Sequence, residues 1–115
     1  MKKLEIFIRP DKLEEVKEAL REIDLNGISI SQIMGCGSQM GWTEIVRGSE
    51  VDYNFLPKIK IELFVLDIQV EAVVETVIAA ARTGEVGDGK IFISDVRDAV
   101  RIRTGERGAA AVKSL

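Results

Sequence analysis

The segment from Thr83 to Lys90 reads Thr-Gly-Glu-Val-Gly-Asp-Gly-Lys. Its glycines let backbone N–H groups turn toward an anion, and Lys90 adds a point charge. Further on, Arg101 and Arg103 alternate along the chain. If Val100 to Thr104 is extended, their side chains leave one face about 6.6 Å apart, a span that suits a polyphosphate. The order of Gly, Lys and Ser/Thr is not that of a Walker A loop. Alone, the glycine run reads as a tight turn and the arginines as surface charge. Together they make a phosphate site the chemistry to look for.

A second glycine cluster, Gly35-Cys36-Gly37-Ser38-Gln39-Met40-Gly41, lies where a strand is expected to end. Such spacing suits either close approach of backbone to a ligand or plain loop flexibility. From Gly35 to Leu56 the sequence has no sustained period. Loops of that length in small domains are generally functional or disordered.

Other chemistries are disfavoured by what the chain lacks. It has no histidine, so the commonest general base is missing. Cys36 is the only cysteine, which excludes an intramolecular disulfide and a Cys-rich metal site. With 16 basic and 19 acidic side chains, net −3, the chain has no broad positive field for nucleic acid. The run Leu4 to Ile8, broken by Glu5, is too short for a signal core or a membrane span, and with a single cysteine a cytoplasmic address is expected.

The elements that must position these groups are legible as a repeat. At 115 residues, 46% apolar and 30% charged, the chain reads as one domain, 1–115. A shift of 57 positions aligns Leu4, Glu5, Ile6, Phe7 and Ile8 with Ile61, Glu62, Leu63, Phe64 and Val65. It also aligns the helical apolar positions Leu13, Val16 and Leu20 with Val70, Val73 and Val77. The first helix is expected to start after Pro10 and Asp11 and end near Asn26 and Gly27; the second should run from Asp67 to before Gly84. With further strands over Ile28 to Met34 and Lys90 to Ser94, the pattern is β-α-β twice. The expected fold is α+β: a ferredoxin-like double βαβ sandwich, antiparallel, with both helices on one face. Lys3, Glu5, Phe7, Lys60, Glu62 and Phe64 then share the other face, which suits a subunit interface or a solvated surface.

Several of these segments resemble a known family. Thr83 to Phe92 and Arg101-Ile102-Arg103-Thr104-Gly105-Glu106 are similar to the two C-terminal signatures of the PII nitrogen-regulatory signal transduction proteins. Thr43, Glu44, Arg47 to Glu50 and Phe55 to Glu62 resemble the PII T-loop and the strand after it. The resemblance runs from Met1 to about Arg107. It implies a non-enzymatic homotrimer that binds ATP or ADP between subunits, senses 2-oxoglutarate and acts on nitrogen-metabolism targets through residues 36–55, the T-loop. Residues 82–90 would form the phosphate loop and 101–115 the C-terminal segment.

By the same resemblance the nucleotide contacts are Phe7, Ser29, Gly35, Gly37, Ser38, Gln39, Glu62, Phe64, Gly87, Asp88, Gly89, Lys90, Arg101 and Arg103, with Arg101 and Arg103 reaching across the subunit boundary. Gln39 would help coordinate Mg²⁺, and Gln39, Lys58 and Gly87 would hold 2-oxoglutarate. Arg47, Ser49 and Tyr53 are the implied T-loop contacts with partners. The implied partner is an ammonium channel, a nitrogen-metabolism enzyme or a regulator, with membrane association only through a channel. Two other readings remain at this point: an acylphosphatase-like enzyme using Arg101 or Arg103, and a single-strand RNA binder stacking bases on Phe7 and Phe64.

The sequence departs from the family pattern at Ser38 and Met40, where arginine and lysine are usual, so 2-oxoglutarate is expected to bind with Mg-ATP but less tightly. The tyrosine that some bacterial members have uridylylated is Val51 here, with Tyr53 two residues on. Valine has no hydroxyl to accept a nucleotide, and two residues move the acceptor by up to about 7 Å along an extended loop. Incubation with a PII uridylyltransferase should therefore leave the chain unmodified by mass spectrometry, and a modified Tyr53 peptide would refute this.

Overall fold

The computed structural model describes residues 1–25, 27–35 and 56–113. The T-loop segment 36–55, and with it Gly37, Ser38, Gln39, Arg47, Ser49 and Tyr53, lies outside the described residues, as does Asn26 at the expected end of the first helix.

Strand β1 (Lys2–Ile8) leads through a 3-10 turn at Pro10–Lys12 into helix α1 (Leu13–Glu22). Strands β2 (Ser29–Gly35) and β3 (Leu56–Val65) follow, then a second 3-10 turn and helix α2 (Val70–Ala81). Strand β4 (Lys90–Asp95) and a short helix α3 (Ala109–Lys113) complete the described chain. The sheet is four-stranded in the order β2-β3-β1-β4, antiparallel at every pairing. This is the double βαβ sandwich expected from the repeat.

Both helices are preceded by a 3-10 turn, so each begins later than the capping residues suggest. Pro10, which lacks an N–H, is accommodated where no intrahelical donor is required. At its other end α1 stops short of Asn26 and Gly27. Asp24 takes the left-handed conformation, φ 64°, and Leu25 and Asp24 donate their N–H groups to the carbonyls of Leu20 and Arg21 at 3.0 and 2.9 Å. This closure satisfies the last helical carbonyls, and a short polar side chain tolerates the left-handed region better than most.

The core lies between the helices and one face of the sheet. Leu4, Ile6 and Ile8 on β1, and Ile59, Ile61, Leu63 and Val65 on β3, are buried against Val16 and Leu20 of α1 and Val70, Val73, Val77 and Ala81 of α2. Strand period 2 and helix spacing of three and four give these residues a common interior.

The opposite face carries a lattice of charge. Glu5 and Glu62 face each other across β1 and β3, an unfavourable like-charge pair by itself. Lys60 approaches them at 3.1 and 3.3 Å and Lys3 at 3.5 and 3.8 Å. Hydrogen bonding to Lys60 holds the Glu5 carboxyl below the usual carboxylate range, while Glu5 and then Glu62 raise the Lys60 ammonium. Phe64 and Phe92 lie about half exposed on this face, and Phe92 meets Phe7 edge to face at 5.8 Å.

Leu4, fully buried on the central strand, is the natural probe of this core. Leu4→Ala is expected to lower the unfolding free energy by about 2–5 kcal/mol. Urea denaturation checks it, and a loss well under about 1 kcal/mol would contradict the packing described.

Candidate functional site

The glycine-rich segment 83–89 joins α2 to β4 and is shaped from within and from outside. From within, the Asp88 carboxylate accepts hydrogen bonds from the Thr83 and Gly84 amides, both at 2.9 Å, and from the Thr83 hydroxyl. These donors and Arg9 favour the ionised carboxylate and hold Asp88 well below the usual range, with the Thr83 hydroxyl the largest influence. From outside, Arg9, just past β1, donates Nη2 to the Val86 carbonyl at 2.7 Å and Nε to Asp88 at 3.1 Å. Lys58 of β3 donates to the Gly87 carbonyl at 2.8 Å.

Two glycines are required by this shape. Gly87 and Gly89 have φ of 103° and 108°, and a Cβ on Gly89 would sit 1.7 Å from the Phe7 carbonyl oxygen. That contact brings the loop against β1 just before Lys90, which pairs with Phe7. Phe7, Asp88, Gly89 and Lys90 border a cleft of about 390 Å³ that continues along Ile91 and Ile93 against α2. Gly87, Gly89, Lys90, Lys58 and Phe7 are thus gathered at one end of the sheet.

The arginine pair is not where the extended reading put it. Residues 102–104 form a turn, with Gly105 donating to the Arg101 carbonyl at 2.7 Å and Val100 bridging to Arg107. The expected strand over Val100 to Thr104 is replaced because this turn satisfies backbone groups that would otherwise need a sheet partner. Arg101 and Arg103 therefore do not share one strand face. Arg101 pairs with Glu106 and donates to the Ala110 carbonyl at 2.8 Å. Arg103 is exposed in the turn and makes no hydrogen bond or ion pair among the described residues.

This turn sits at the far end of the sheet. Helix α3, whose Ala110 holds Arg101, lines a second cleft of about 440 Å³ with Leu63 and Phe64. Lys58 and Phe64 are six residues apart on the same strand, roughly 20 Å. One chain therefore does not bring Lys90 and Arg101 to one ligand. Ser29 and Glu62 are cross-strand partners between these ends, and Gly35 pairs with Leu56 at the margin of the described sheet.

The sequence profile of the family described as Nitrogen regulatory protein P-II matches residues 1–106. The chain belongs to this family. The P-II protein of Rhodospirillum rubrum is 54% identical over 112 residues, covering 97% of this chain and 100% of that protein. That of Microchaete diplosiphon is 56% identical with the same coverage. The crystal structure of Arabidopsis thaliana PII bound to citrate superposes with a TM-score of 0.78 at 40% identity, covering 96% of this chain and 90% of the other. A P-II protein is a regulatory signal transducer, and the ferredoxin-like sheet described above is the P-II fold.

Arg9 is the residue of this P-II loop that sequence reasoning passes over. Its signal is nevertheless present: in the internal repeat Arg9 falls opposite Leu66, a charged residue against an apolar one after five positions that match in character.

The close approach of Gly89 to Phe7 separates it from Gly84, which has φ 90° and open space, with no atom within 4 Å, where a Cβ would stand. Gly84→Ala is expected to cost only backbone strain of about 1–3 kcal/mol. Gly89→Ala adds a backbone clash and should destabilise the chain clearly further, with shifts of the Phe7 and Lys90 amide resonances. Equal losses in the two variants would refute the contact.

Proposed function

We propose that this P-II chain is a non-enzymatic sensor of ATP or ADP and 2-oxoglutarate, assembled as a homotrimer with the nucleotide held between adjacent subunits. The observation that carries the reading is the separation of the two basic clusters. Gly87, Gly89 and Lys90 form a backbone and ammonium cradle at the Lys58 end of the sheet, and the 101–106 turn lies toward the Phe64 end, where Arg101 is held by α3. A polyphosphate meets both clusters only when a second copy presents its 101–106 turn to the first copy's loop. The open sheet face, with Phe7, Phe64 and Phe92 among paired charges, suits such an assembly.

In this reading Lys58 holds a carboxylate of 2-oxoglutarate, next to Gly87 to which it already donates. Mg²⁺ would be held by Gln39 with phosphate and 2-oxoglutarate oxygens, which suits its preference for hard oxygen ligands. Asp88 contributes through the loop rather than by facing phosphate, since its carboxylate is spent on Thr83, Gly84 and Arg9. The 36–55 segment would carry the signal to an ammonium channel, a nitrogen-metabolism enzyme or a regulator in the cytoplasm. No helix of the described residues is long and apolar enough to cross a membrane. An acylphosphatase-like role is less well supported, because the Arg101 guanidinium is engaged by the Glu106 carboxylate and the Ala110 carbonyl rather than presented to a substrate.

Calorimetric titration should show Mg-ATP and 2-oxoglutarate each tightening the other, as linkage requires. Lys90→Ala and Arg103→Ala should each weaken Mg-ATP binding by about 1.5–3 kcal/mol. Mixed trimers of the two variants should recover a tight site, because one variant's intact Lys90 then faces the other's intact Arg103. A stable monomer by light scattering, unchanged affinity in both variants, or no recovery on mixing would overturn the intersubunit site.

A further inference from the structure

We propose that Arg9 is a positioning residue for nucleotide binding, acting through Asp88 to set the shape of the 83–89 loop rather than by touching phosphate itself. This rests on the nucleotide reading given above.

The Asp88 carboxylate has one oxygen engaged by the Thr83 and Gly84 amides and the other by the Thr83 hydroxyl and Arg9 Nε. Arg9 simultaneously holds the Val86 carbonyl through Nη2 at 2.7 Å. Its guanidinium therefore spans two points of the loop with a rigid fork, which a flexible ammonium does not reproduce. Both partners are partly shielded, with side-chain exposures of 30% for Arg9 and 24% for Asp88, so the pair is less screened than a surface bridge. A Cβ on Gly87 would come within 3.2 Å of Arg9 Nη2; the guanidinium packs directly on this positive-φ glycine.

The consequence is geometric. Val86 and Asp88 bracket Gly87, and Gly89 is pinned against the Phe7 carbonyl. Fixing the two flanking residues leaves the Gly87 peptide little freedom, so its backbone orientation is set before ligand arrives. A loop ordered in advance does not have to be ordered on binding, and that saving appears as affinity. Arg9 follows β1 directly, so the loop is referenced to β1 as well as, through Thr83, to the end of α2.

The test is a double-mutant cycle on the full chain, read by Mg-ATP titration and by amide exchange without nucleotide. Arg9→Gln and Asp88→Asn are each expected to weaken Mg-ATP binding about tenfold, and the double variant no further than the worse single. Thr83 and Gly84 amides should exchange faster in Arg9→Gln. Arg9→Lys keeps the charge but not the fork and should stay impaired. Additive losses would mean that Arg9 acts on phosphate directly and would overturn the proposal. So would full rescue by lysine, unaltered affinity in Arg9→Gln, or unaltered Gly84 exchange. If the wild-type chain binds no Mg-ATP, the nucleotide reading fails, while the exchange measurement still decides whether Arg9 holds the loop.

Discussion

Strand β1 pairs on both edges, with β3 through Ile8↔Ile59 to Lys2↔Val65 and with β4 through Phe7↔Lys90 to Lys2↔Asp95. Because side chains alternate with period 2, this double register decides at once which residues meet the helices and which face outward. A slip of one residue would bring Lys3, Glu5 and Phe7 under the helices and turn Leu4, Ile6 and Ile8 out. The register also places Phe7 beside both Lys60 and Lys90, so the end of β1 becomes the reference point for the loop before β4.

The loop itself is held by electrostatics that would be modest on an open surface and matter here because they converge. Asp88 binds donors from two consecutive amides, a hydroxyl and a guanidinium. A carboxylate with several donors is strongly stabilised in its charged form. Since its folded-state pKa is depressed, its contribution to stability is present above the ordinary carboxylate range and is lost as pH falls through the depressed value. Asp88 is thus held in its ionised form by its partners.

Much of this is legible in the sequence because it rests on periodicity. The match of Leu4–Ile8 with Ile61–Val65 identifies the two central strands, and the apolar spacing of Val16, Leu20, Val73 and Val77 identifies the faces that cover them. Residue types also mark the glycine loop, since Gly87 and Gly89 occupy conformations that other residues resist. The turn at 101–106 is not legible in this way. Arg-Ile-Arg-Thr alternates like a strand, but Glu106 accepts from Arg101 and Thr104, and these local bonds outweigh the pattern. Arg9 and the early stop of α1, two residues before Asp24, are hidden for other reasons. Each depends on a bond to a partner distant in sequence or on a single left-handed residue, and neither leaves a period.

The bond from Lys58 to the Gly87 carbonyl connects two parts of the molecule that the sequence keeps apart. Lys58 lies two residues into β3, just after the 36–55 segment, and Gly87 lies in the glycine loop that leads into Lys90. If a dicarboxylate takes the Lys58 ammonium, that ammonium, with three donors of which one serves the Gly87 carbonyl, would hold both at once. A change of occupant at Lys58 is then felt both in the phosphate loop and at the root of the segment that the strand anchors. By linkage the influence runs equally in the other direction, so a phosphate that orders the Gly87 peptide alters the affinity at Lys58. Coupling between the two effectors in the proposed function would then need no long pathway, since one lysine and one carbonyl at 2.8 Å link β3 to the loop.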